Sequence, residues 1–135
     1  AIREEVNQNL SVVHPEKPHI NFVEDILFVK EPQFSGDTHK SLVVLGHAAV
    51  DRSPCGTGTC ARMAALYARG ALGKGDLFYH ESITGAIFEG TVLEETAVGG
   101  LPAILPQVKG RAFLTGAGQL IIDAADPLKH GFSLR

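Results

Sequence analysis

A chain of 135 residues, 44% apolar and 20% charged, has enough apolar material for the core of one ordinary domain and the wrong balance for disorder. Its formal net charge of −3 excludes the basic footprint of a nucleic-acid binder. No apolar run approaches the roughly 20 residues that span a bilayer, and no basic stretch leading into an apolar one marks a secretory leader. Cys55 and Cys60, the only two cysteines, make no disulfide framework and point to the reducing cytoplasm.

In chain order, Ile2, Val6 and Leu10 fall on one helical stripe. No Ser, Thr, Asp or Asn precedes them as a cap, so the chain is expected to enter in mid-helix, with sequence upstream of it. His14 to His19, with two prolines, reads as a connection. Residues 22–30 are apolar enough for a strand, followed by a polar loop over 31–40 that contains Pro32, Gly36 and Asp37. Ser41 to Leu45 is a short strand of the kind buried on both faces. From Gly56 to Gly70 the pattern becomes helical and small, with only Arg62 and Arg69 charged, and predicts a helix buried nearly all round. Strands are then expected over 77–83, 87–98 and 103–108. A hairpin should follow, its arms 111–115 and 119–123 flanking Gly116-Ala117-Gly118. This order predicts an α+β domain whose sheet wraps a central helix.

The chemistry is concentrated between Asp51 and Thr59. Pro54 ends the preceding extended run and places Cys55 at the N-cap of the buried helix, with Gly56, Thr57, Gly58 and Thr59 as its first turn. Two glycines there cost roughly 1 kcal/mol each against alanine, which a purely structural helix has little reason to accept. Glycine allows close approach to backbone N–H groups, and those groups with the helix dipole favour an anion, either a bound carboxylate or a cysteine thiolate. Asp51, four residues before Cys55, is placed to hold a cation near the same spot. The competing interpretation of a lone cysteine is a small buried hydrophobe. The Lys-Ser/Thr of a phosphate loop is absent, and no further ligands accompany Cys55 and Cys60 for zinc. Cys60 is expected in the core beneath the site. His19, His39, His47 and His80 read as surface or structural.

The stretch Asp51-Arg52-Ser53-Pro54-Cys55-Gly56-Thr57-Gly58-Thr59 resembles the second cysteine motif of the proline racemase family, which includes 4-hydroxyproline 2-epimerases. His14 to Asn21 and Gly116 to Leu120 resemble the hydroxyproline epimerases in particular. The likeness runs through the whole chain, but only to the C-terminal half of such a protein. It implies a diaminopimelate-epimerase-like lobe, a sheet or barrel around a central helix, with C-terminal strands returning to the first lobe. It further implies catalysis without cofactor or metal, by two cysteines on opposite faces of Cα. Cys55 matches the second of these, Gly56 and Thr57 would bind the substrate carboxylate by N–H groups, and Asp51 would bind the ring nitrogen. The other cysteine, in a Met-Cys-Gly-His-type motif, belongs to the half outside this chain. The implied partners are that N-terminal half, a small-molecule substrate (4-hydroxyproline or proline) and, as a homodimer, a second copy. The related trans-3-hydroxyproline dehydratases carry threonine in place of Cys55, so the cysteine argues against dehydration. Asp25 stands where many relatives place a pocket-lining histidine, which makes it a further substrate-binding candidate. Proline racemase on the same site and a non-catalytic carboxylate-binding domain are the alternatives. The pairing of Asp51 with Cys55 argues against the latter, since anion binding alone needs neither a thiol nor a second carboxylate.

Overall fold

The computed structural model describes residues 1–32, 38–46 and 49–133. These form helices α1 (Ile2–Asn9) and α2 (Gly56–Ala68) and strands β1 (Ile26–Lys30), β2 (His39–Leu45), β3 (Ala49–Val50), β4 (Leu77–Ser82), β5 (Ile87–Val98) and β6 (Leu101–Lys109). Expected loop residues Gly36 and Asp37, and His47, lie outside the described residues.

The strands make one sheet in the order β1-β2-β4-β5-β6, with β3 beside β2. All neighbours are antiparallel except β2 and β4, which run parallel with His39 opposite His80. Parallel neighbours require a crossover, and α2 lies within it. The sheet is α+β as expected but open, with β1 and β6 at its two edges, rather than closed as a barrel. Pro102 and Pro106 fit β6 because an edge strand can lose N–H donors on its outer side. Gly99 and Gly100, with φ of 55° and 78°, turn β5 into β6.

Helix α2 buries Thr59, Arg62, Met63 and Leu66, spaced as one face of a helix. Met63 and Leu66 join Leu72, Phe78 and Val92 in the core, with Tyr67 and Ile104 packed against it. The opposite side exposes Gly56, Thr57, Ala61 and Ala68, so the helix is not enclosed all round. Only one face meets the sheet, and the small residues on the other carry little apolar area.

Helix α1 buries none of its residues. It is tied down by polar contacts instead. Asn7 Nδ2 donates to the Val23 carbonyl at 2.8 Å and Asn7 Oδ1 accepts from Val23 N–H at 2.7 Å, so the amide captures backbone that a strand would use. Arg3 takes the neighbouring Glu24 carbonyl at 3.3 Å, and β1 begins at Ile26 and not at residue 22. The expected hairpin over 111–123 does not form. No strand is present there, and Phe113, Leu114, Leu120 and Ile121 are between 80% and 95% exposed. Two short apolar arms cannot hold a hairpin without a third strand or a core to pack on.

Candidate active site

After β3 the chain stays fastened to the sheet, with Asp51 N–H donating to the Val43 carbonyl at 3.1 Å. A relay of short bonds then builds the turn into α2. Asp51 Oδ1 accepts from Ser53 N–H at 2.8 Å, and Ser53 Oγ accepts from Cys55 N–H at 3.0 Å. The Ser82 and Thr84 hydroxyls donate to the Arg52 carbonyl at 2.8 and 2.6 Å, which anchors the turn to the end of β4. Pro54 is fully buried beneath it.

Cys55 is the N-cap, as its position predicts, and is the one described non-glycine residue with positive φ, at φ 66° and ψ 127°. Such a backbone costs on the order of 1–3 kcal/mol and survives only where its surroundings over-determine it. Every polar atom of the residue is engaged. Its carbonyl accepts Thr59 N–H at 2.9 Å and the Thr59 hydroxyl at 2.6 Å. Its Sγ accepts Gly58 N–H and lies beside the Thr57 hydroxyl, each at 3.4 Å. Gly58 is needed for that approach. A Cβ there would stand 3.3 Å from Cys55 Cβ and 3.4 Å from both Cys55 Sγ and Val43 Cγ2. Gly56 differs, since a Cβ built on it meets nothing within 4 Å and so faces open space. The N–H groups of Gly56 and Thr57 have no acceptor among the described residues, and both residues are exposed. They are the free donors that a helix start leaves.

Asp51, Cys55, Gly56 and Thr57 are thus gathered at one helix end, whereas Asp25 is placed elsewhere. It is exposed ahead of β1, its Oδ1 accepting Gly46 N–H at 3.2 Å, and no described hydrogen bond or ion pair joins it to Asp51 or Cys55. Cys60 is half-buried rather than in the core. Partial burial, and then the nearby Cys55, push its thiol up from the ordinary range. Both cysteines are free thiols.

The reading of residue types alone missed what lies beneath. His80 is completely buried, and its Nδ1 is 2.8 Å from the Thr59 hydroxyl that supports the Cys55 carbonyl. Burial, with His39 and the Arg62 guanidinium nearby, lowers its pKa to about 4. His39 is lowered for the same leading reason. Arg62, also buried, forms an ion pair with Glu31. A signal for His80 was available. It alternates with Phe78 and Ser82, and that period of two puts all three on the inward face of β4.

The fold and the site define an α+β lobe built on a cysteine-capped helix. The proline racemase family model matches residues 1–133, and the chain belongs to that family. It is 47% identical over 133 residues to a proline racemase of Acetoanaerobium sticklandii, covering 98% of this chain and 40% of that protein. A 4-hydroxyproline 2-epimerase of Spirosoma linguale is 45% identical over 133 residues, with the same 98% and 40% coverage. Among solved structures, a hydroxyproline epimerase from Agrobacterium vitis with bound trans-4-hydroxy-L-proline is similar at a TM-score of 0.79 and 39% identity, covering 98% of this chain and 38% of that one. A probable proline racemase from Agrobacterium radiobacter with bound carbonate matches with the same values. The chain therefore spans about two-fifths of the length of the relatives it matches. The proteins it resembles are named as racemases and epimerases, which are isomerases. Among the described residues no helix is long and apolar enough to cross a membrane.

Proposed function

We propose that this chain supplies one of the two proton-transferring faces of a cofactor-independent epimerase that inverts Cα of 4-hydroxyproline. The supporting observation is Cys55 Sγ at the start of α2, held by Gly58 N–H at 3.4 Å, beside the free N–H groups of Gly56 and Thr57. Those two donors bind the substrate carboxylate. Asp51, with one oxygen on Ser53 N–H, offers the other to the ring ammonium. The Cys55 thiolate takes the α-proton, and the electron pair left on Cα moves into the carboxylate to give a planar intermediate. The charge that develops on the carboxylate oxygens falls on preorganised N–H dipoles. A thiol on the opposite face then delivers a proton to Cα, completing inversion. In the reverse direction the two sulfurs exchange the roles of base and acid. Asp25 stays in the proposed set only through its match to the relatives' pocket-lining histidine, and not through any described contact with Asp51 or Cys55.

The second cysteine belongs, on this reading, to an N-terminal half that the chain does not span. Relatives of more than twice the matched length support that division. The exposed apolar segment around Phe113 and Leu120 is the part expected to return to the other lobe. Isolated, the chain offers one proton-transferring group in an open site, so it should not turn over either substrate. Two free thiols suit a reducing cytoplasm. Association with a second copy is read by sedimentation of the complete protein.

Proline racemization on the same site is the second reading, favoured by the 47%-identical relative of that name. The two separate by kcat/KM. A pocket that requires the ring hydroxyl leaves polar groups unpaired when proline binds, so trans-4-hydroxy-L-proline should be preferred by about 100-fold or more. Equal values for both substrates would select the racemase.

A further inference from the structure

We propose that His80 and Thr59 are positioning residues for Cys55. Donated hydrogen bonds from His80 to Thr59 to the Cys55 carbonyl hold the strained backbone that aims the thiol. The proposal rests on the reading of Cys55 as a proton-transferring group, and it adds two residues that touch neither substrate nor sulfur.

The assignment follows from counting protons. The Thr59 hydroxyl has one hydrogen and three neighbours, the Cys55 carbonyl at 2.6 Å, His80 Nδ1 at 2.8 Å and, at the edge of reach, the Pro54 carbonyl at 3.5 Å. A carbonyl can only accept, so the short contact uses the hydroxyl hydrogen. His80 must then donate from Nδ1, which makes it the neutral Nδ1–H tautomer. Both residues are fully buried, so no solvent competes for these bonds. Strand β4 fixes His80 from below through its pairing with β2 and β5. Phe78, with ring centroid 5.4 Å from His80, packs beside it.

The carbonyl they hold belongs to the one described non-glycine residue with positive φ. Relaxation of that φ toward an ordinary value would swing Cβ and Sγ away from Gly58 N–H and from the substrate's α-carbon. Proton transfer between carbon and sulfur depends on approach geometry, and a misplacement of about 1 Å can cost about 100-fold in rate. Binding of the carboxylate, by contrast, uses the N–H groups of Gly56 and Thr57. A positioning role therefore predicts an effect on kcat with little effect on KM.

The test uses the complete two-lobed protein. Thr59→Val removes the hydroxyl and keeps the shape. It should lower kcat for inversion by about 10- to 100-fold with KM within about twofold. Thr59→Ser, which restores the hydroxyl, should recover kcat to within about threefold of wild type. His80→Phe should behave like Thr59→Val, and His80→Asn, whose amide nitrogen can replace Nδ1, should be the milder of the two. A Thr59→Val enzyme with unchanged kcat, or one whose loss lies in KM, overturns the proposal. So does a Thr59→Ser enzyme as impaired as Thr59→Val. Nitrogen-15 NMR of the imidazoles in unsubstituted protein needs no variant to fold: Nδ1–H at His80 is expected, and Nε2–H overturns the relay. Wild type that inverts neither hydroxyproline nor proline overturns the proposed function and this inference together. Active wild type with an unaffected Thr59→Val variant overturns this inference alone.

Discussion

Met63 seats its sulfur against Gly90, so closely that a Cβ on the glycine would stand 2.5 Å from Sδ and 3.2 Å from Cε. Phe78 closes the third side at 3.3 Å. This contact sets how near α2 can lie to β5, and therefore how the Cys55 end of the helix is carried over the sheet. Met63 is wholly buried and Phe78 nearly so, which limits how far either can yield. Gly90→Ala should destabilise the protein by about 1–3 kcal/mol through overpacking. Urea denaturation read by circular dichroism checks it, and an unchanged midpoint would show that the methionine rotates aside freely.

Acid should loosen the same region. His80 has its folded pKa lowered from 6.5 to about 4, chiefly by burial. Facing it are His39 from β2 and Thr59 and Arg62 from α2, with Glu31, beyond β1, paired to Arg62. Above the unfolded pKa the imidazole is neutral in both states and contributes no pH dependence. As pH falls below 6.5 the unfolded chain takes up a proton that folded His80 refuses, so stability drops until pH reaches about 4. The loss from this group amounts to roughly 3 kcal/mol at full extent. His39 acts in the same direction. Stability measured between pH 7 and 4 should fall more steeply in wild type than in His80→Asn, and parallel curves would contradict the assignment.

Much of this was legible in residue order. Strand β5 occupies 87–98 as its pattern predicts, and Pro54 with the following glycines located the start of α2 correctly. Local pattern failed where a distant partner decides the outcome. The Gly116 hairpin had the right turn and apolar arms, but no described strand or core lies where those arms could pack. At residues 23 and 24 the backbone is taken by side chains of α1, Asn7 on Val23 and Arg3 on the Glu24 carbonyl, which no local window contains. In the sequence Arg62 stands out only as one of the two charged residues between Gly56 and Gly70, with Arg69. Its partner, Glu31, lies on the far side of β2 in the sequence, and composition gives no hint of that meeting.

That ion pair is unequal, with Arg62 7% exposed and Glu31 59%. Removing the carboxylate strands a buried guanidinium, whereas replacing the arginine by an apolar chain removes the charge that needed a partner. Glu31→Gln should therefore be the more damaging change, by about 1–3 kcal/mol after allowing for the exposure of Glu31. Arg62→Met should cost less. Melting temperatures of the two variants at one pH order them, and the reverse order would indicate that the aliphatic packing of Arg62 matters more than its charge.

The central claim is that Cys55 moves a proton at one face of the substrate in both directions of the reaction. Cys55→Ala in the full-length protein, assayed by chiral chromatography from each epimer separately, tests it most directly. Since one sulfur is base in one direction and acid in the other, inversion should fall by about 100- to 10,000-fold from both starting epimers, with the circular dichroism spectrum unchanged. Inversion surviving near the wild-type rate from either epimer would contradict the account.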